Sequence, residues 1–402
     1  MKTYLRGTHR LVSPAQTVAR VLPMMRATGI TRIADVTGLD SIGIPVVMVC
    51  RPNSRSVSVA QGKGLDLDAA RASGLMESIE QWHAEHIVRP LQFVTASELA
   101  TRHRLVDVAG LPRLSIGSFH PHRKLLWIEG EDLLGGGSRW VPLEVVHTDY
   151  TLPLPPGSGC FLTTSTGLAS GNERIEAVLH GLYEVIERDA VALWRAAGPA
   201  RRRTTRLDLA TVDDPACRDL LARFDRAGIA VGVWDASSEI GLPVFVAEIV
   251  DRDPSPYRVL YVAGGQGCHR SRAVALARAL TEAAQSRLTA ISGARDDIDR
   301  TSYERSRAPQ RIAAARAEIE QLESPLRPFA AAADDFSERL DEDLEAVLAA
   351  LRAAGLGQAV VVDLARPELE LPVVRVIVPG LESMCDAPGY APGPRAQRAR
   401  AS

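Results

Sequence analysis

The apolar runs of this chain are short, and their length limits what it can fold into. They fall at Pro45 to Cys50, Leu125 to Glu129, Ala230 to Asp235, Pro243 to Val250, Val259 to Ala263, Ala359 to Leu364 and Pro372 to Val378. Each suits a buried strand, and none approaches the ~18 residues of a membrane span. Helix-period patterns interleave with them near 67–88, 173–196, 270–292, 310–322 and 336–354. Asn172 can cap the second of these helices, and Gly355 can end the last. The alternation predicts an α/β (α+β) protein with mixed sheets and no internal repeat. Nothing divides the 402 residues cleanly, so residues 1–386 read as a single domain. Within it the polar, weakly patterned stretch 295–335 is expected to be a mobile insertion. The Pro-, Gly-, Arg- and Ala-rich end, 387–402, is expected to be a flexible tail.

Composition removes several function classes. A formal net charge of −2 and 5% aromatic residues give no basic, aromatic platform for nucleic acid and no attraction to an anionic membrane. The start, MKTYLRGTHR, lacks the apolar core of a secretory signal, which leads to an expectation of a cytoplasmic protein. Cys50, Cys160, Cys217, Cys268 and Cys385 form no C-x-x-C pair and read as small buried hydrophobes. There is no Walker phosphate loop, and the Gly264-Gly-Gln-Gly267 run has the wrong spacing for a dinucleotide fingerprint. Neither a G-x-S-x-G elbow nor an H-E-x-x-H pair is present, and His120 and His122 read as a surface turn.

Three segments repeat one theme. The first runs Ser73-Gly-Leu-Met-Glu77-Ser-Ile-Glu80, the second from Glu176 through Glu184-Val-Ile-Glu187-Arg188, and the third is Glu282-Ala-Ala-Gln285-Ser-Arg287. On a helical wheel Glu176, Glu184 and Glu187 lie within roughly 80° of one another, opposite an apolar stripe. Glu77 with Glu80, and Glu282 with Gln285, are i, i+3 pairs. Oxygen ligands on one helix face suit magnesium, and Arg188 and Arg287 stand near enough to touch phosphate. The same glutamates also fit an ordinary solvated face, and Glu184 with Arg188 an ordinary i, i+4 ion pair. Periodicity leaves both readings open. Lys63, between two glycines, is one of three lysines among 47 basic residues; it reads as a turn residue near phosphate.

From about Lys2 to Glu382 the chain resembles the YcaO superfamily. Gln61-Gly-Lys-Gly64 leading into Ala72-Ser73, Glu77 and Glu80 is similar to that family's first ATP motif. Ser165 to Asn172, with Glu176, His180-Gly-Leu and Glu184 to Asp189, resembles the second. Ala279-Leu-Thr-Glu282-Ala-Ala-Gln285-Ser-Arg287, trailed by Arg295-Asp-Asp297, resembles the third. Gln81 stands where the family commonly has arginine, and Thr166 where asparagine is frequent.

The resemblance implies a YcaO-type fold and an unusual ATP site. Lys63, Ser73, Glu77, Arg188, Gln285 and Arg287 would meet ATP, while Glu77, Glu80, Glu184, Glu187 and Glu282 would hold more than one Mg2+. It further implies ATP-dependent activation of a peptide backbone amide, and a homodimer as the common assembly. Azoline-forming members end in P-x-P-x-P, whereas this chain has Pro388-Gly-Tyr-Ala-Pro392-Gly-Pro394. Thr31 to Asp35, Thr37 to Pro45 and Trp82-His-Ala-Glu85 resemble members that accompany TfuA-type partners. The expected product is therefore a thioamide in a peptide or protein, with azoline or amidine formation as alternatives. A non-catalytic peptide-binding scaffold is the alternative of another class.

Overall fold

The computed structural model describes residues 1–253, 262–320 and 325–401. β1 (Arg32–Asp35), β2 (Val46–Cys50) and β3 (Val59–Lys63) form an antiparallel sheet packed against the first acidic helix, Leu67–Glu85. A central sheet follows, with β4 (Leu91–Thr95), β5 (Lys124–Asp132), β6 (Ser138–Pro142) and β7 (Leu168–Ser170). Its order is β4, β5, β13 (Val360–Asp363), β14 (Val373–Ile377), β7, with β6 paired to β5. β8 (Leu207–Asp208) pairs in parallel with β12 (Arg327–Pro328). β9 (Ile229–Asp235), β10 (Val244–Asp251) and β11 (Ala263–Cys268) form another antiparallel sheet, packed against the third acidic helix, Arg272–Ser292. Mixed layers of this kind match the expected α/β class.

The second acidic helix, Arg174–Ala196, covers one face of the central sheet, where Leu182, Val185 and Ile186 share a core with Val374 and Val376. The opposite face buries Leu75 and Ile79 of the first acidic helix with Val362 and Val373. Each such buried leucine or isoleucine contributes about 1.5–3 kcal/mol. The central sheet thus holds two acidic helices on its two sides, pinned by their apolar stripes.

An internal repeat is present, contrary to the sequence expectation. Gly62 and Gly267 each stand five residues before a helix, and Glu77 and Glu282 are each the eleventh residue of that helix. In both units the glycine backbone presses on the helix: a Cβ on Gly62 would lie 1.9 Å from the Ala70 carbonyl oxygen, and one on Gly267 2.1 Å from that of Ala275. Only glycine allows helix and strand to approach this closely. The apolar pattern hid the repeat because few residue identities survive between the two halves.

Other expectations are corrected or bounded. Residues 259–261 of the expected strand Val259 to Ala263 lie outside the described residues, and β11 occupies the glycine-rich stretch after it. Lys63 ends a strand and does not sit in a turn. Asn172 does not cap its helix; Glu173 stands at the cap, and Asn172 hydrogen-bonds Thr17 and Glu176. Gly355 follows the helix Leu340–Ala353 with φ +80°, as expected. In the stretch expected to be a mobile insertion, the helix expected near 310–322 spans Pro309–Glu320, a further helix spans Arg300–Ser306, and Phe329 is buried; residues 321–324 lie outside the description. The expected flexible tail carries a helix, Pro394–Ala401, anchored by Arg395 Nη2 at 2.8 Å from buried Asp189; Ser402 lies outside the description.

Candidate active site

The three acidic helices turn their glutamates toward one another. Lys63, at the end of β3, reaches the third helix, with Nζ 2.6 Å from Glu282 Oε2. Arg188 lies 3.5 Å from both Glu184 and Glu187. Glu80 accepts from the amide and hydroxyl of Ser170 at 2.8 and 2.6 Å, both through Oε1. Glu184 accepts from the Gly167 amide at 3.1 Å, and Glu282 from the Gln266 amide at 3.3 Å. These bonds fix the direction of each carboxylate without neutralising it.

The charges show that the groups share one site. Burial pushes Glu77 up to about 6; Lys63 and Arg295 pull it down, while Glu184 and Glu282 raise it further. Burial pushes Glu80 to about 8, with Glu77 and Glu184 adding to the rise. Burial likewise lifts Glu187 to about 7, against the pull of Arg188. Glu282 ends below the ordinary range, because Lys63 and Arg188 outweigh its burial. For Arg188 burial favours the neutral form, but Glu187, Glu184 and Glu282 more than offset it and hold its charge firmly. Three of these carboxylates are therefore short of positive charge.

That donor set fits a hard cation. It offers oxygens alone, with no histidine or cysteine among the predicted ligands. Among the described residues no group of three or more His, Cys, Asp or Glu side chains is placed to hold a metal ion by itself. Magnesium needs none, since it takes one or two carboxylates and completes its octahedron with phosphate oxygens and water.

Two basic residues of the site, Arg10 and Arg278, are not singled out by the sequence. Arg10 and Arg278 place Nη2 atoms 3.0 Å from the Nδ1 and Nε2 atoms of His180, one on each side of the ring. Burial and the two guanidiniums hold His180 well below the ordinary histidine range, so it stays neutral. Arg10 feels both Glu176 and Glu80, and Arg278 bears on Glu187. Glu176 anchors this corner by accepting from the Leu11 amide at 2.5 Å and the Asn172 amide at 2.7 Å. Nothing local in MKTYLRGTHR signals a site residue; only the long-range contact reveals Arg10.

The remaining candidates divide. By helical spacing Ser73 shares the face of Glu77 and Glu80. Gln285 turns its amide to the Gln61 carbonyl at 2.7 Å, tying the third helix to β3. Arg287 is a correction. It sits about 140° around the helix from Glu282, and pairs with Asp251 at 2.8 Å and Asp40 at 3.3 Å, all three buried. Its charge is spent on those two aspartates, on a face turned from the glutamate cluster.

Fold and site together bring carboxylates and basic residues into one buried cluster, without a Walker loop. The chain belongs to the YcaO family of ATP- and Mg2+-binding, backbone-modifying enzymes: the family described as "YcaO cyclodehydratase, ATP- and Mg2+-binding" matches residues 61–382. A Rhizobium leguminosarum bv. trifolii protein from the tfuA 3′ region is 41% identical over 382 residues, covering 93% of this chain and 88% of its own. A Methanothermobacter thermautotrophicus protein is 36% identical over 394 residues, covering 92% and 94%. The structure of YcaO from Methanopyrus kandleri bound with AMPPCP and Mg2+ has the same fold, with TM-score 0.74, 22% identity and 98% of each chain covered. A heterocyclase in complex with substrate and cofactor matches with TM-score 0.77 and 22% identity; it covers 97% of this chain, which spans 56% of that one. Among the described residues no helix is long and apolar enough to cross a membrane.

Proposed function

We propose that residues 1–386 act as one catalytic unit in the cytoplasm, using ATP and Mg2+ to make a thioamide in a peptide backbone with a TfuA-type partner. The observation that carries the ATP part is the convergence of Glu77, Glu80, Glu184, Glu187 and Glu282 around Lys63 and Arg188. In this reading the five glutamates hold Mg2+, which when bound neutralises phosphate charge and aligns the transferring group. Lys63, Arg188, Arg10 and Arg278 supply the phosphate contacts, and Ser73 and Gln285 line the nucleotide. Arg287 has no part in it.

An amide carbonyl is a poor electrophile with a poor leaving group. Hydrosulfide adds to the carbon, and the oxyanion so formed takes the γ-phosphoryl group, releasing ADP. The C–O bond then breaks, phosphate leaves with the original oxygen, the S–H proton is released to water, and C=S remains. Support for sulfur comes from the Rhizobium relative in a tfuA region.

Azoline formation is the second reading, favoured by the cyclodehydratase description of the family and the heterocyclase likeness. Co-expression with a peptide and a TfuA-type protein from the same genomic neighbourhood separates the two by mass. A thioamide gains about 16 Da, whereas an azoline loses about 18 Da. ATP consumption with neither shift would contradict both.

A further inference from the structure

Arg375 is a buried guanidinium with two unpartnered nitrogens. It lies mid-strand in β14, opposite Leu168 of β7 and Val362 of β13, and is 3% exposed. Nη2 donates to the Thr164 carbonyl at 2.6 Å, while Nε and Nη1 are buried with no partner. No ion pair forms to it among the described residues. Leaving a charge this deep and unpaired costs several kcal/mol. Such a group persists where a ligand supplies the missing anion.

Its surroundings say where that ligand sits. The charged or titratable groups that bear on it are Tyr150 and Glu184, and its own charge reaches His147. Glu184 belongs to the glutamate cluster and is fixed by the amide of Gly167, whose carbonyl accepts from Val376, next to Arg375. Beside Gly167, the Thr166 hydroxyl is buried without a partner, as is Nε of Arg188, one turn beyond Glu184. Unused donors therefore cluster on the Glu184 side of the site. The Lys63, Arg10 and Arg278 side already has enough basic groups for nucleotide phosphates. On the Arg375 side, Tyr150 is 41% exposed, so this flank opens to solvent where a peptide can approach.

We propose that Arg375, with Thr166 and Arg188, forms a second anion subsite, which receives the phosphate group once it has left the nucleotide and sits on the substrate's amide oxygen. This rests on the ATP reading above. The site takes a tetrahedral phosphate dianion, and its fork of N–H donors suits two phosphate oxygens at once. Arg375 then stabilises the charge that leaves as inorganic phosphate when the C–O bond breaks.

The test uses the full chain loaded with Mg2+ and ADP, titrated with inorganic phosphate in a calorimeter. Wild type should bind phosphate, and Arg375→Met should bind it at least about tenfold more weakly. Arg375→Lys, which keeps the charge but loses the fork, should weaken it about fivefold. Affinities for Mg·ADP and for a non-hydrolysable Mg·ATP analogue should stay within about twofold in both variants. Should the methionine variant fail to fold, the wild-type titration and the lysine variant decide. No phosphate binding to the wild-type Mg·ADP complex, or equal binding by Arg375→Lys, overturns the subsite and leaves the ATP reading standing. Loss of analogue affinity to the same extent as phosphate makes Arg375 a nucleotide contact and also overturns it. Failure of Mg·ADP to bind at all overturns both.

Discussion

Glu77 and Glu282 occupy the same position in two helices that back separate three-stranded sheets. Three residues on, the first helix has Glu80 and the third has Gln285. Glu80 is held near 8 by burial, whereas Gln285 is already satisfied by the Gln61 carbonyl. Further along, the first helix has Trp82, stacked on His86 at 5.0 Å, where the third has Arg287 locked to Asp251 and Asp40. One scaffold therefore serves two tasks. Burial leaves Glu80 of the first helix short of positive charge, while the third helix is largely paired within the protein, and Lys63 pairs with Glu282 and bears on Glu77. A repeated backbone supplies position, and single side chains decide charge.

The largest expected effect breaks the comparison at its shared residue. Glu77→Gln and Glu282→Gln should each lower ATP turnover by roughly 10^3-fold, about 4 kcal/mol. Thermal unfolding should stay cooperative in both, and a large loss in only one would show that the halves contribute unequally. Arg287→Ala removes the guanidinium shared by Asp40 and Asp251 and should cost about 3–5 kcal/mol in denaturant unfolding. Nucleotide affinity measured under folding conditions should remain within about twofold, which separates a structural arginine from a phosphate ligand. Gly62→Ala and Gly267→Ala should destabilise to a similar extent, about 1–3 kcal/mol or more, because each new methyl strikes a helix carbonyl. Unequal losses would argue against equivalent packing in the two units.

The titrations sharpen the contrast. Glu77, Glu187 and Glu80 have folded pKa values of about 6, 7 and 8, above an unfolded value near 4.3. A raised carboxylate binds its proton more tightly when folded, so it favours folding at low pH. That advantage fades as pH rises from about 4 through 8. Magnesium needs the ionised forms, so Mg·nucleotide affinity should rise over the same window, up to roughly tenfold per pH unit for each proton displaced. Calorimetry at pH 6 and 8 reads this directly. Glu80→Gln should flatten the profile, whereas Glu282→Gln should not, since Glu282 is already ionised beside Lys63. The smallest effect is Gln285→Glu, which makes the third helix copy the first. Losing the bond to Gln61 should cost about 1 kcal/mol in unfolding.

Much of this was readable from sequence because burial leaves a period. The strands at 46–50, 229–235, 244–251, 360–363 and 373–377, and all three acidic helices, follow apolar patterns. β3 and β11 escaped notice because their glycines serve helix packing and look like loop residues. Glu77, Glu80, Glu184, Glu187 and Glu282 are singled out only through the resemblance, since periodicity alone fits a solvated face equally well. Arg287 was misplaced because proximity in sequence to Glu282 ignores the turn of the helix. Arg10 and Arg375 act through contacts spanning most of the chain, which no local pattern records. The anchored C-terminus depends on Arg395 meeting Asp189, again a tertiary fact.

The most direct test is a crystal structure of the chain with a non-hydrolysable ATP analogue and Mn2+ in place of Mg2+, read by anomalous diffraction. Manganese peaks should lie against carboxylates of all three acidic helices, with the phosphates between Lys63 and Arg188. A nucleotide bound elsewhere, or glutamates left without metal, would contradict the account.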